Sequence, residues 1–178
     1  MVLAAAAFVI WAVSTSGSGT SGSPTVKVQG LPPPRSSPIA VRLANAIGRA
    51  NLGPRFRSVN MTAVAPFAWD RMYVFRDETS SDIRQRLGFD WSGAPDTVPR
   101  SGQHESLLAF TRGKGVVASA FFSDGVGHLD CLTAPAGYAR GTPFVVRFTR
   151  MGHDAYLATS PPDASDAACL RAVGAVTH

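Results

Sequence analysis

The feature that most constrains this chain is its N-terminal stretch. Residues 2–13, VLAAAAFVIWAV, form an uncharged apolar run of twelve, and STSGSGTSGS follows at once. Twelve helical residues rise about 18 Å, against a hydrocarbon core of about 30 Å. The run is too short to span a bilayer comfortably and fits the apolar region of a secretory signal, with Ala12-Val13-Ser14 supplying a small-residue cleavage site. No Lys or Arg precedes it. Either the true start lies upstream and the run is the tail of a longer signal or truncated anchor, or the insertion signal is weak. Lys27 and Arg35 follow it, on the side where the positive-inside rule prefers cytoplasm. No cysteine follows the run before Cys131, so a lipid anchor has no support.

Ser, Gly, Thr and Pro dominate residues 14–37, with Pro32-Pro33-Pro34 stiffening the end. Such a composition buries too little to order itself and reads as a flexible spacer. Residues 38–178 remain for a single α+β domain, long enough to bury about two-thirds of its unfolded surface and fold alone.

Within that domain, Ser37 is a good N-cap before Pro38, a residue favoured at the first helical position. Ile39, Leu43, Ile47 and Ala50 follow at helical spacing, with Arg42, Asn45 and Arg49 on the other face, and Gly53-Pro54 ends the helix. Residues 67–76 (FAWDRMYVFR) read as a strand with Phe67, Trp69, Tyr73 and Phe75 on one face and Met72 and Val74 on the other. Thr79 or Ser80 then caps a short helix closed by Gly88. Hairpins are expected across Arg112-Gly113-Lys114-Gly115 and across Arg150-Met151-Gly152-His153, and Asp163 or Ser165 starts a last helix carrying Cys169, Leu170 and Val173. The pattern suggests a small antiparallel sheet of hairpins with a few short helices on one face.

The strand Trp69-Asp70-Arg71-Met72-Tyr73-Val74-Phe75, followed by a capped helix ending at Leu87-Gly88, resembles small bacterial secreted or membrane-anchored proteins of uncharacterised function. In those proteins a W-D-R-x-Y-x-F strand precedes a short helix and a later strand pair. The likeness covers residues 67–89 and continues loosely to Phe122. It implies export and brings no activity or catalytic residues to carry over. The stretch Arg76-Asp77-Glu78-Thr79 departs from the less charged, aromatic-containing turn expected there.

The net charge of +5 is unevenly spread: residues 24–60 hold six basic residues and no acidic one, whereas residues 61–178 hold eleven basic against twelve acidic. Arginine outnumbers lysine by fifteen to two. Without a basic face interleaved with aromatics or a known module, nucleic acid is not an expected partner. Arg71, two positions from Trp69 and from Tyr73, suggests a guanidinium stacked on rings, which makes Trp69, Arg71 and Tyr73 candidate ligand-facing residues. The alternative is an arginine stem covering ring surface. Asp70 points away from Arg71 and could cap the following helix or pair elsewhere.

Cys131 and Cys169 are the only cysteines; in an exported chain they most simply form one disulfide. The rival is a catalytic Cys131 thiol with His128 and Asp130 nearby. His104-Glu105, His128 with Asp130, and His153-Asp154 could gather into a metal site, but none has the spacing that specifies one, so no metal or cofactor is expected. Asp124-Gly125-Val126-Gly127 reads as a turn. There is no nucleophile elbow, phosphate loop or dinucleotide fingerprint. The expectation is a non-enzymatic, exported module, secreted or held to the membrane by an uncleaved N-terminal segment, that binds an envelope protein or polymer. A small extracytoplasmic hydrolase using Cys131/His128 or a His-carboxylate site is the alternative.

Overall fold

A computed structural model describes residues 37–98 and 105–175. The N-terminal apolar run, nearly all of the spacer and His104 lie outside the described residues. Helix α1 spans Pro38–Arg49, with the Ser37 hydroxyl accepting from Ala40 N at 3.1 Å as the Ser-Pro pair predicts. It buries Ile39, Leu43 and Ile47. A 3-10 turn over Ala50–Leu52 extends it to Gly53, whose φ of 136° is a glycine conformation. There the chain doubles back into a second 3-10 turn, Pro54–Phe56. Strand β1 (Ser58–Val59), helix α2 (Met61–Val64) and strand β2 (Arg71–Phe75) follow.

Helix α3 is Ser80–Leu87. Thr79 and Asp82 form a reciprocal capping box at its start, and Gly88 is left-handed at its end. Strands β3 (Glu105–Arg112) and β4 (Gly115–Ser123) form the first expected hairpin. Strand β5 (Tyr138–Ala139) precedes the second hairpin, β6 (Phe144–Phe148) with β7 (Ala155–Thr159), and Asp163 caps α4 (Ala164–Ala172). Among the described residues no helix is long and apolar enough to cross a membrane.

The class is α+β. The antiparallel strands divide between two sheets, ordered β1-β6-β7 and β4-β3-β2-β5. One face of the larger sheet, with Met72, Val74, Leu108, Phe110 and Phe122, packs against α1, α2 and the smaller sheet's Val59, Phe144, Val146 and Leu157. The opposite face, with Tyr73, Phe75, Leu107 and Ala109, is covered by Ile83 and Leu87 of α3. Helices therefore lie on both faces of this sheet, not on one. The reason is visible in β3: six consecutive residues, Ser106 to Thr111, are buried, which requires cover on both sides.

The strand around Trp69 needs a second correction. It starts only at Arg71, because Asp70 sits at a bend, its N–H donating to Thr111 O at 2.7 Å and its carboxylate accepting from Gly113 N at 2.8 Å. Asp70 thus fastens the β3-β4 turn and does not cap α3. The bend breaks the strand alternation. Phe67 and Trp69 pack with Met72 and Val74 around Phe110, while Tyr73 and Phe75 stack on the opposite face.

Candidate functional site

The basic face of α1 is one wall of a cleft of about 610 Å³ lined by Arg42, Asn45, Arg49, Arg55, Ser58 and Asn60, with Phe56 and Val64 among its apolar contacts. Its construction follows from local sequence. Arg42, Asn45 and Arg49 fall on one side of α1 because Ile39, Leu43 and Ile47 take the other into the core. Gly53 turns the chain back, which sets Arg55 on the facing wall. Arg42 Nε donates to Val64 O at 2.7 Å, and Arg55 lies over the Phe56 ring at 4.7 Å. Asn60 Oδ1 accepts from Thr62 N and Thr62 Oγ1, leaving its amide hydrogens for other acceptors.

Among the described residues, none of these three guanidiniums is paired with a carboxylate, and no acidic side chain lines the cleft. Arginine stays charged at any physiological pH and presents a planar donor array matched to carboxylate and phosphate oxygens. The arrangement can hold anionic groups.

A second cluster lies just past the C-terminal ends of β2 and β4. Asp124, His128 and Asp130 each bring a ligand atom within 4.8 Å of the others. Folding thus unites His128 and Asp130 as the sequence allows, joined by Asp124 from the stretch read as a turn. The cation there is Arg76, which bridges Asp124 at 3.1 Å and also pairs with Asp130. A metal would have to displace that guanidinium. His128 stacks on Tyr156 with ring centroids 4.7 Å apart, and its Nε2 is 3.8 Å from Asp154 Oδ1. Burial, then the neighbouring carboxylates, hold the Tyr156 hydroxyl above its usual range. His128 N and O also bond Ala155 O and Leu157 N, so the segment runs beside β7.

The three residues expected to face a ligand are placed otherwise. Trp69 is 2% exposed, with Nε1 donating to Ala65 O, and Tyr73 is 7% exposed. Arg71 is exposed, but its guanidinium donates to Ala136 O at 2.9 Å and to Gly137 O at 3.4 Å. The arginine over the Trp69 ring is Arg140, at 5.9 Å. Trp69 and Tyr73 belong to the core, and Arg71 ties β2 to the loop before β5.

Cys131 and Cys169 form a disulfide with Cα atoms 5.3 Å apart, so Cys131 offers His128 no thiol in this form. The bond joins a cluster of Tyr156, Ala158, Leu170 and Ala175 that seats α4 on the smaller sheet. Beside it, the fully buried Asp166 accepts from Thr133 N, Thr133 Oγ1, Tyr138 OH and Thr159 Oγ1. Burial raises the pKa of the Asp166 carboxyl, and it also lifts the Tyr138 hydroxyl well above its usual range.

Sequence reasoning missed the cleft. Its signal was present as six basic residues without an acid in residues 24–60, but the stretch read as diffuse until α1 and the returning turn placed three of them around one cleft. None of the family models, curated proteins or solved structures compared with this chain matches it.

Proposed function

We propose that this chain is an exported, non-enzymatic binding module of the cell envelope that engages its partner through the arginine-lined cleft. The observation that carries the reading is the set of Arg42, Arg49 and Arg55 around one cleft without carboxylate partners among the described residues. Unpaired guanidiniums beside apolar contacts are poised to exchange water for a ligand's oxyanions. Export draws support from the apolar N-terminal run, from the resemblance of the Trp69–Phe75 segment to exported proteins, and from a disulfide of the kind oxidising compartments preserve.

Two measurements test this. Residues 1–37, with and without any upstream in-frame codons, fused to a reporter active only outside the cytoplasm should give activity; silence from both fusions removes export. Purified protein should sediment with isolated envelopes at low salt, and the triple variant Arg42→Gln/Arg49→Gln/Arg55→Gln should not. Equal retention of the two proteins would place the partner site elsewhere.

The rival, a small hydrolase, rests on His128 with Asp124, Asp130 and Asp154. Arg76 pairs with two of those carboxylates, which favours an ion-pair role for the cluster. Turnover of ester or amide substrates that His128→Gln abolishes would reverse that preference.

A further inference from the structure

We infer that the cleft takes a linear polyanion of the envelope, an oligomer with an oxyanion on each repeat, and not one small anion. This rests on the reading of the cleft as the partner site. Arg42 and Arg49 are seven residues apart on α1, two helical turns, so their Cα atoms stand about 10 Å apart along one wall. The bond from Arg42 Nε to Val64 O fixes its side chain at the α2 end of the cleft. Arg55, lying flat on Phe56, holds the facing wall. A hydrogen bond from a guanidinium to an oxyanion is about 2.8 Å long, and with Arg42 held at Val64 O the two α1 arginines offer their donors in series along the wall, which suits two oxyanions of one chain better than a single one.

The volume agrees. A water takes about 30 Å³ of liquid, so a cleft of about 610 Å³ holds several repeats of a small polymer. Between the two α1 arginines lie Asn45 and Ala46, which offer an amide and a methyl to the uncharged linkage between anionic groups. The ring exposed to the cleft, Phe56, is already covered by Arg55. The cleft thus lacks the open aromatic faces on which single-stranded nucleic acids stack their bases. Simple polymers, with phosphodiester or carboxylate repeats, need no such platform.

The experiment uses the purified protein and fluorescence anisotropy or calorimetry with defined probes: a ten-repeat oligo(glycerol phosphate), an oligogalacturonate of equal length, inorganic phosphate, phosphatidylglycerol vesicles and single-stranded DNA. One or both of these anionic oligomers should bind at least tenfold more tightly than inorganic phosphate, and whichever binds identifies the repeat chemistry. The salt dependence should correspond to two or three neutralised charges, a log-log slope of about −1.4 to −2.1. Arg49→Gln, at an exposed position, should reduce that slope by about 0.7 while leaving the melting temperature unchanged. Phosphate binding as tight as the oligomers, with a slope near −0.7, would mean a single-anion site and overturn the inference while sparing the binding-module reading. Binding confined to vesicles, or DNA binding as tight as the oligomers, would overturn it in favour of a membrane surface or a nucleic acid. If no probe binds and the triple arginine variant still sediments with envelopes, both readings fail.

Discussion

The arginines around the cleft and those around the larger sheet are the same residue put to opposite uses. Arg42, Arg49 and Arg55 have no carboxylate partner among the described residues, whereas Arg76 bridges Asp124 and Asp130 and Arg86 pairs with Glu78. Arg86 also donates to Val74 O and Ala134 O and lies over the Phe75 ring at 4.8 Å. The difference lies in supply. The sequence has no acidic residue before Asp70, so the arginines of α1 and its returning turn have none nearby in the chain. Where carboxylates are at hand the guanidinium cements elements together; around the cleft, where they are missing, the three guanidiniums keep donors for a ligand.

Four measurements press on that contrast. The largest effect should come from the covalent part of the cemented region. Replacing Cys131 and Cys169 by Ala, or adding reductant, frees a loop of separation 38, which the chain-entropy model values at about 4 kcal/mol. Denaturant titration with and without reductant reads it, and mass spectrometry of a non-reduced digest checks the pairing. A loss under about 1 kcal/mol would show that the region stands on charge and packing alone.

Arg86→Leu should come next. It leaves Glu78 partly buried without its cation, and since the two side chains are 22% and 19% exposed the loss should fall below that of a fully buried pair, at about 2 kcal/mol. An unchanged urea midpoint would show that this pairing is ornamental and that the contrast with the cleft is false.

The pH dependence should be smaller and carries a definite sign. Burial raises the carboxyl pKa values of Asp166 and Glu78. The native state therefore keeps protons that the unfolded chain releases, and this stabilisation is full below about pH 4 and lost as pH rises through the raised values. Asp163 runs the other way. Its capping bond from Asp166 N lowers its pKa, so its contribution is present above about pH 4 and lost on acidification. Asp166→Asn should therefore lose less stability than the wild type between pH 4.5 and 7. Parallel profiles would remove Asp166 as the source.

The smallest effect belongs to the cleft. Arg49→Gln and Arg55→Gln should each change stability by under about 0.5 kcal/mol, because their head groups hold no carboxylate among the described residues. In the wild type, sulfate should raise the melting temperature slightly more than its general salting-out effect accounts for, and the two substitutions should remove that small excess over chloride at equal ionic strength. A loss of 2 kcal/mol from either would place these arginines with the cement.

Much of this fold was legible because its signals are local. Ser37-Pro38 marks the start of α1, Thr79 with Gly88 brackets α3, and Gly113 and Gly152, both with positive φ, sit in the two hairpin turns. The cysteine pairing followed from there being only two. The two-residue strands β1 and β5 are too short to show a period, and their pairing with β6 and β2 depends on packing between distant segments. The displaced face of Trp69 was hidden because alternation alone does not reveal a bend at Asp70. The cleft was hidden for a related reason: whether Arg55 meets Arg42 and Arg49 depends on a chain reversal at Gly53, which charge counting cannot resolve.

The disulfide also closes a covalent ring around β5, β6 and β7, and the ring gives strands to both sheets: β5 to the larger, β6 and β7 to the smaller. The two sheets are thus laced by one loop. A fluctuation that peels β5 from β2 pulls on a chain whose other arc is pinned between β1 and the rest of the smaller sheet, and neither sheet can fray past the bond without dragging its neighbour. While the bond is intact, hydrogen exchange in β5 and β7 should therefore report a shared opening event rather than two independent ones.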